Sequence, residues 1–440
     1  MLALAAVLLA FWQRSVARAS ARAARENQRL ATVRALVASS LNYLQENPEK
    51  SLLLAMYAVS VTHPSDGRVL SSAQDVLRLT ARATPSLTLT GHTGPVRSIA
   101  WSPDGNQLAT TSDDGTARVW DATTGQQLHE LCRRVGNRNA PFPSMSNDSI
   151  LAIAWKPDGR QIAAVGDDGF LRVWDSQTWQ QVSFASADLP RGRTPAVGWN
   201  QSGSRLAVAD WEGNVTIWDS EQRRIIKSFS GPHTPIWCLA WSPAPDRLAT
   251  GYRDREVRVW DRASWQMLLH PLFTQAPVWG VSWNHDGERL ATGGQDWHAR
   301  IFDTKNGRQL LRLDQYDDAV CSVAWGPTGD GKQDRSDLLA TGSRTVKVFR
   351  IYMSNGSLHG QEKLQLGLHR GAIYAVAWDP EGQRLAAGST DNNTYIYALD
   401  VLGAETAPML MKAARGRVRS KLTDEECGEY FSGGPCPPIP

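Results

Sequence analysis

Residues 91–121 read GHTGPVRSIAWSPDGNQLATTSDDGTARVWD and contain three short apolar runs. The first run ends at Trp101, and the third ends in a Trp-Asp pair at 120–121. The tripeptides PDG (103–105) and DDG (113–115) separate the runs. Short apolar runs that alternate with such turn residues are typical of β-strands joined by hairpins. The stretch therefore predicts three consecutive antiparallel strands.

The same pattern recurs along the chain at intervals of 42 to 54 residues. Repeats of about 40 residues, each with short strands and a Trp-Asp ending, are the signature of β-propeller blades. Seven tryptophans mark the end of the first strand in each copy: Trp101, Trp155, Trp199, Trp241, Trp283, Trp325 and Trp378. The repeats resemble the WD-repeat family. That resemblance implies an all-β, seven-bladed WD-repeat β-propeller over residues 86–400.

Residues 86–90, SLTLT, carry one further strand signal before the first copy. In the family that the repeats resemble, each repeat supplies the outer strand of one blade and three inner strands of the next. We therefore expect residues 86–90 to pair with residues 394–399 and to complete blade seven. Closing the ring in this way removes an exposed sheet edge.

Residues 1–12, MLALAAVLLAFW, are entirely apolar and precede a helical segment over residues 13–85. Spanning a bilayer takes roughly 17–25 apolar residues, so this run is short for a complete span. Three interpretations remain open: the end of a transmembrane helix from a longer protein, a short membrane anchor, or the buried start of a helix. If the run enters a membrane, the arginines that follow it place the rest of the chain in the cytoplasm.

Two motifs flank the repeats. Asn47-Pro48-Glu49 interrupts the helical segment before SLLLA at 51–55, and the tail over residues 401–440 contains a capping signal at Thr423. Both resemble segments next to WD-repeat arrays in bacterial STAND-type (NACHT-like) signalling proteins. The matching tail residues are Arg419, Leu422, Thr423, Glu425, Glu426, Cys427, Tyr430, Cys436 and Pro437. The resemblance implies a short helical tail and an origin in a signalling protein whose NTPase module is absent from this chain.

The composition argues against several functional classes. A net charge of +3 over 440 residues is too weak to indicate the basic face that nucleic-acid binding needs. Five cysteines are sparse, so we expect neither a disulfide framework nor a metal site. We also expect no cofactor.

Motif residues within the blades are expected to form a buried hydrogen-bond network. In the WD-repeat family, a histidine, a Ser or Thr, an aspartate and a strand Trp are joined in this way. A His-Asp pair also occurs in catalysis, but here it recurs at the repeat period, which favours a structural role. The matching residues are His92, Ser112, Asp114 and Trp120 in blade one, His233, Asp254 and Trp260 in blade four, and His369, Ser389 and Asp391 in blade seven.

A second set of residues is expected at the mouth of the central channel. By the family geometry, it is formed by the residue four positions before each first-strand Trp. These residues are Arg97, Leu151, Pro195, Trp237, Trp279, Cys321 and Tyr374. Because Trp, Tyr and Arg are enriched in binding hot spots, the set is a candidate site for a protein or peptide. The alternative is that these side chains pack on one another and plug the channel.

Together these features predict a non-catalytic protein-interaction or sensor platform, the propeller part of a bacterial signalling protein. The partner is expected on the top face of a monomeric propeller in the cytoplasm. A membrane tether through residues 1–12 is one of the open interpretations of that segment. One competing interpretation is an enzyme with an unrecognised site at the channel mouth. Another is a plain assembly scaffold without a ligand switch.

Overall fold

The computed structural model describes residues 2–62, 69–132, 149–182, 193–231, 233–243, 247–268, 271–314, 316–327, 337–367, 369–402, 406–431 and 436. They form two compact units. One unit comprises Pro85–Leu399, and the other comprises Met1–Thr84 together with Asp400–Pro440. The helical spacer and the C-terminal tail, which lie at opposite ends of the sequence, therefore belong to the same unit.

The Pro85–Leu399 unit is a propeller of seven four-stranded antiparallel sheets, as predicted. We number the strands in chain order and give those of each blade from the centre outward. Blade one contains β2 (Val96–Trp101), β3 (Gln107–Ser112), β4 (Ala117–Asp121) and β5 (Gln127–Cys132). Blade two contains β6 (Ile150–Trp155), β7 (Gln161–Gly166), β8 (Arg172–Asp175) and β9 (Gln181–Val182). Blade three contains β10 (Ala196–Trp199), β11 (Arg205–Ala209), β12 (Asn214–Asp219) and β13 (Arg224–Ser230).

The remaining blades repeat this order. Blade four contains β14 (Ile236–Trp241), β15 (Arg247–Tyr252), β16 (Glu256–Asp261) and β17 (Leu272–Phe273). Blade five contains β18 (Val278–Trp283), β19 (Arg289–Gly294), β20 (Ala299–Asp303) and β21 (Gln309–Leu313). Blade six contains β22 (Ser322–Trp325), β23 (Leu338–Gly342), β24 (Val346–Ser354) and β25 (Ser357–Leu366). Blade seven contains β26 (Ile373–Trp378), β27 (Arg384–Ser389), β28 (Thr394–Ala398) and β1 (Leu87–Leu89).

The predicted closure is confirmed. Strand β1 is the outer strand of blade seven, with Leu87 opposite Ile396 and Leu89 opposite Thr394. The hydroxyl of Ser86 accepts a further hydrogen bond from the Ala398 amide at 2.9 Å. The innermost strands contact their neighbours in order around the ring, and β26 contacts β2. The N-terminal strand thus joins the last blade to the first.

Each predicted landmark tryptophan is the last residue of a first strand. Four of them donate a hydrogen bond from Nε1 to a backbone carbonyl of the preceding blade's first strand, at 3.0 Å. These bonds are Trp101 to Ala377, Trp241 to Gly198, Trp283 to Ala240 and Trp378 to Ala324. The tryptophan therefore recurs because its indole joins adjacent sheets as well as filling the space between them.

The second strands show why small residues recur in the repeats. Ala109, Ala249 and Ala340 are completely buried, and neighbouring strand positions are buried on both faces. Strands covered on both sides carry continuous apolar runs rather than alternating ones. Apolar side chains from adjacent blades form shared clusters, such as the one that joins Ala291 of blade five to Leu339 of blade six.

The described part of the other unit contains five α-helices: α1 (Leu2–Tyr43), α2 (Pro48–Thr62), α3 (Ser71–Ala83), α4 (Ala407–Arg415) and α5 (Asp424–Tyr430). Pro48 starts α2 at a position where its missing N–H costs nothing. Arg29 of α1 donates to the Val61 carbonyl at 2.9 Å and satisfies the C-terminal end of α2. Within the described residues, no helix carries an apolar stretch long enough to cross a membrane.

Helix α1 runs through most of the apolar segment at residues 1–12; Met1 and the side chains of residues 2–8 lie outside the described part. Phe11 and Trp12 are 73% and 63% exposed. The interpretation of this segment as the buried start of a helix is therefore wrong at these two positions.

The two flanking motifs contact each other. The Glu49 carboxylate accepts hydrogen bonds from the backbone amides of Arg419 and Ser420 at 2.6 and 2.7 Å. Lys50 forms an ion pair with Glu426. Thr423 and Glu426 form the expected capping box at the start of α5. These contacts give one acidic residue of each motif, Glu49 and Glu426, a structural role.

The cysteines correct one prediction. Cys427 and Cys436 form a disulfide with their Cα atoms 5.1 Å apart, so the tail is cross-linked although the count predicted no disulfide framework. Cys436 lies beside the buried Cys427, nine residues earlier in the sequence. Spacing alone does not reveal that these two thiols meet.

Candidate binding site at the channel mouth

β-Bulges orient several of the residues predicted at the mouth of the central channel. In five blades, the second residue of the first strand is skipped in the pairing with the second strand. These residues are Arg97, Leu151, Trp237, Trp279 and Tyr374. A bulge inserts an unpaired residue and re-aims its side chain. Pro195 and Cys321 hold the corresponding place just before β10 and β22.

The structure brings all seven predicted residues together around one cavity of about 370 Å³. Arg193 and Trp211 line the same cavity. We call these nine residues the channel mouth. Its side chains contact one another but leave this volume unfilled, so the channel mouth is a concave pocket. Pockets of this size, lined by aromatic groups with a few polar ones, are typical of binding sites.

One side of the channel mouth is aromatic. The rings of Trp211 and Trp237 lie 6.2 Å apart between centroids, and those of Trp237 and Trp279 lie 5.6 Å apart. All three rings are tilted relative to their neighbours rather than stacked flat. The Nε1 atoms of Trp237 and Trp279 have no hydrogen-bond partner in the described part of the chain. This side offers a large apolar surface in blades three, four and five.

The other side is charged but internally neutralised. Arg97 donates to the Asp113 carboxylate with Nε at 2.7 Å and with a second nitrogen, and its guanidinium lies 4.6 Å from the Tyr374 ring centroid. Arg193 Nε lies 2.7 Å from Asp167, and its guanidinium lies 4.7 Å from the Trp211 ring. Both cations therefore already have a carboxylate and an aromatic face.

Asp167, which pairs with Arg193 of the channel mouth, is a carboxylate whose pKa is shifted. Burial raises its pKa above the ordinary value, Arg193 acts to lower it, and Asp113 raises it further. The carboxylate is thus less well compensated than its ion pair suggests. An additional cation in the pocket would stabilise its ionised form.

Arg193 and Trp211 were missed because they do not lie on a first strand. Trp211 is the first residue of the turn between β11 and β12, where blades one and two carry Asp113 and Asp167. Aligning these turns would have placed Trp211 beside the residues predicted at the channel mouth. Arg193 lies in the loop that enters blade three, and no repeat position predicts it.

The thiols are poorly suited to catalysis. Burial raises the pKa of Cys321 to about 12, and it raises the pKa of Cys238 to about 12 as well. A cysteine acts as a nucleophile through its thiolate, which is scarce at such values. Over the described ranges, no group of three or more His, Cys, Asp or Glu side chains is placed to hold a metal ion.

In blade one, the predicted network forms with one change. His92 contacts Asp114 at 2.9 Å and the Thr110 hydroxyl at 2.8 Å, and Trp120 Nε1 donates to the same hydroxyl at 2.8 Å. The linking hydroxyl therefore belongs to Thr110 rather than to Ser112. Ser112 lies at the turn, where its hydroxyl donates to the Gly94 carbonyl and accepts from the Asp114 amide.

Blade four does not use its histidine. His233 is exposed, with a backbone φ of 54°, and Thr234 donates to Asp254 at 3.0 Å instead. Trp260 donates to Thr250 at 2.9 Å, as Trp120 does to Thr110. The one-residue shift of the histidine moves it out of the network.

Blade seven joins its members differently again. His369 contacts the Tyr397 hydroxyl at 3.2 Å, while Tyr395 donates to Asp391 at 2.9 Å. Ser389 accepts from the Asp391 amide at 3.2 Å. The predicted His369–Asp391 hydrogen bond is thus replaced by two tyrosine contacts.

Arginines form the part of this framework that sequence reasoning missed. In blades two, four and five, the turn aspartate pairs with an arginine four residues later on the third strand. The pairs are Asp168–Arg172, Asp254–Arg258 and Asp296–Arg300. The signal was present in the sequence as a D-x-x-x-R pattern at the repeat period. Arg300 is almost fully buried, which shows that these pairs belong to the interior.

Comparison with known proteins identifies the repeats. A family model described as "IFT122 first beta-propeller" matches residues 57–330, and one described as "WD domain, G-beta repeat" matches residues 360–397. Ribosome biogenesis protein ERB1 of Yarrowia lipolytica is 38% identical over 106 residues, which cover 24% of this chain and 12% of that protein. Coronin-7 of Mus musculus is 35% identical over 96 residues, 22% of this chain and 9% of that protein.

A guanine nucleotide-binding protein subunit beta of Oryza sativa subsp. indica is 34% identical over 100 residues, 23% of this chain and 24% of that protein. The chain thus spans a quarter or less of the length of each of these relatives. Their similarity concerns blades rather than whole proteins.

Proposed function

Because the chain belongs to the WD-repeat β-propeller family, we propose that it is a non-catalytic platform that binds a protein or peptide partner at the channel mouth. The observation that carries the proposal is the unfilled cavity of about 370 Å³, lined by Trp211, Trp237 and Trp279 on one side. Aromatic side chains at a concave centre supply large contact area at a low cost in conformational entropy.

The competing interpretation as an enzyme has less support. A reactive site needs a nucleophile or an acid–base pair with a suitable pKa. In the channel mouth, the two guanidinium groups are held by Asp113 and Asp167, and the Cys321 thiol has a raised pKa. These groups favour recognition over chemistry.

We further propose that the chain derives from a bacterial STAND-type signalling protein. Its support is the contact between the two flanking motifs, in which Glu49 binds the backbone of Arg419 and Ser420. Recurrence of both motifs in one protein family is expected if they fold together. The relatives named above come from eukaryotes, so this part of the proposal rests on the motifs alone. A monomeric propeller in the cytoplasm, a membrane tether at residues 1–12 and the lack of a nucleic-acid partner also stay predictions.

The proposal is tested by removing the aromatic side of the channel mouth. Peptides are selected from a random display library on the full-length chain, and their Kd is measured by fluorescence anisotropy. We expect the Trp237→Ala/Trp279→Ala variant to bind them about 30-fold more weakly or worse, as hot-spot tryptophans do. The matched control is Tyr352→Ala, since Tyr352 is an exposed aromatic on the blade-six hairpin that does not line the cavity.

An unchanged Kd for the double variant, with an unchanged circular dichroism spectrum, would contradict a binding role for the channel mouth. Equal losses in the double variant and in Tyr352→Ala would contradict it as well, because they would indicate a general surface effect.

A further inference from the structure

In every blade except blade six, the turn between the second and third strands contains a residue with a positive φ, which in blade seven is Asn392 at 72°. We call it the turn residue. In blades one to three it is glycine, Gly115, Gly169 and Gly213, with φ between 73° and 86°. In blade four it is Arg255 at 73°, and in blade five it is Trp297 at 65°. Glycine adopts this conformation freely, whereas a bulky side chain is strained by it.

Two other tryptophans with a positive φ show how such strain is offset inside the molecule. Trp179 stacks on His129 at 4.1 Å and meets Trp155 edge-on at 6.3 Å. Trp265 packs against Phe229 and Trp241 of blades three and four, at 5.9 and 6.2 Å. Both indoles are held in the interface between adjacent blades.

Trp297 has no such compensation. Its side chain is 53% exposed, and it makes no aromatic contact with any residue that the structure describes. Arg255 is also exposed and forms no ion pair within the same ranges. Backbone strain that the rest of the chain does not offset indicates a function at the strained position.

Arg255 and Trp297 lie in corresponding turns of the neighbouring blades four and five, and we call these two turns, with the segment that links them, the patch. The segment at 273–277 links their turns: the Thr274 amide donates to the Arg255 carbonyl at 2.8 Å, and the Gln295 amide donates to the Pro277 carbonyl at 3.1 Å. Phe273 starts this segment and is 67% exposed. The patch therefore presents two exposed aromatic side chains on neighbouring blades.

The charges that this patch presents to solvent are positive. Asp254 and Glu256 turn inward and share the buried guanidinium of Arg258, and Asp296 pairs with Arg300. Arg253 and Arg255 are exposed and lack an acidic partner among the described side chains. A partner that covers the patch meets the guanidinium groups of Arg253 and Arg255 and the exposed rings of Phe273 and Trp297. Acidic groups with adjacent large apolar side chains complement it.

We infer that Arg253, Arg255, Phe273 and Trp297 form a second docking surface, which binds an acidic segment of a partner protein that carries large apolar side chains. The inference rests on the proposed role as an interaction platform, but it concerns a surface that shares no residue with the channel mouth. Arginine and tryptophan are the side chains most enriched among residues that dominate binding energy. Binding of the partner then offsets the backbone strain at Arg255 and Trp297.

The test uses variants that restore the residue of the neighbouring blades. Peptides are selected from a random display library on the full-length chain, and their Kd is measured for Trp297→Gly and Arg255→Gly. We expect acidic peptides with aromatic or aliphatic side chains, and about tenfold weaker binding to each variant. We also expect an unchanged or higher Tm, because glycine is the native turn residue in blades one to three.

Trp179→Gly is the matched control, because it also removes a tryptophan with a positive φ. It is expected to lower the Tm, since it removes the stacking on His129, and to leave the Kd unchanged. A merely structural role for Trp297 would give the same result at both positions and would overturn the inference.

The remaining outcomes are distinct from failure of the channel mouth. Peptides that depend on Trp237 and Trp279 but bind Trp297→Gly normally would support the channel mouth and overturn the second surface. Selection of neutral or basic peptides would overturn it too, as would displacement of the acidic peptides by a single-stranded DNA oligonucleotide at lower concentration.

Discussion

Blade one and blade four carry the same aspartate in the same turn, yet a different side chain stabilises it in each. Asp114 is bonded to His92 and accepts a hydrogen bond from the Thr93 amide, both in the loop that enters the blade. Asp254 accepts a hydrogen bond from Thr234 in its entry loop, and a second one from Arg258 of the following strand. Blade one also has an arginine at that strand position, Arg118. Its guanidinium donates a hydrogen bond to the Thr116 hydroxyl and forms an ion pair with Glu130.

Blades one and four thus share the acid of the turn but differ in the side chain that partners it. Burial acts to raise the pKa of Asp114, but hydrogen bonds from His92, Thr116 and the Thr93 amide outweigh it and hold the pKa well below its usual range. A partly buried carboxylate needs such donors, whether they are neutral or charged. Either loop or strand can supply them.

The largest expected effect tests whether Arg258 is essential where Arg118 is not. Arg258→Met leaves Asp254 and Glu256 without their cation, so we expect a loss of about 3–5 kcal/mol in the free energy of unfolding. Arg118→Met is the matched control, and it should cost about 1 kcal/mol or less because Asp114 keeps His92. Urea denaturation followed by circular dichroism measures both. Equal losses would contradict the idea that the two blades use different partners.

A smaller effect concerns pH and blade seven, where burial outweighs the opposing effect of Asp391 on the pKa of His369. Burial lowers the pKa of His369 to about 4, below its unfolded value of 6.5. The unfolded chain therefore binds more protons between these values, and stability falls as the pH falls through that window. Between pH 7 and pH 5 the loss is up to about 2 kcal/mol.

His369→Gln should remove this contribution to the pH dependence, as measured by Tm at a series of pH values. The stabilisation by Asp114 has a different window, because its lowered pKa makes that contribution present above about pH 4 and lost only below it. If His369→Gln keeps the full dependence between pH 7 and pH 5, the histidine of blade seven is not the titrating group.

The smallest effect sharpens the idea of interchangeable partners. His92→Leu removes one donor, and we expect Arg118 to turn to Asp114, as its counterparts do in blades two, four and five. Arg118→Met should then cost about 1 kcal/mol more in the His92→Leu background than in the wild type. A double-mutant cycle by urea denaturation measures this coupling. Additive effects would show that Arg118 cannot replace the histidine.

Features that recur at the repeat period could be predicted from the sequence. The position four residues before Trp101 or Trp241 falls on a bulge because these two first strands have the same length and pairing. The closing strand β1 could be predicted because one strand signal was left over before the first repeat. Both inferences use register, which is set by periodic apolar residues.

Contacts for which several nearby side chains are candidates could not be predicted. Ser112 and Thr110 are both plausible links to His92, and only the geometry of the turn decides between them. His233 differs from His92 by one residue in its loop, which is enough to expose it. The Cys427–Cys436 disulfide could be predicted only if the two cysteines were known to lie side by side in the folded chain. Contacts of this kind depend on three-dimensional paths that no local pattern encodes.

Strand β1 has a consequence for the order in which the protein can be completed during synthesis. It is made before any repeat, yet its partner β28 is made after the last one, with roughly 310 residues between them. At about 5–20 residues per second, a ribosome takes about 15 to 60 s to produce that interval. During this time, β1 and blade seven lack their final pairing. The nascent chain therefore carries an unpaired strand throughout the synthesis of that interval, and the ring becomes complete only after β28 has been made.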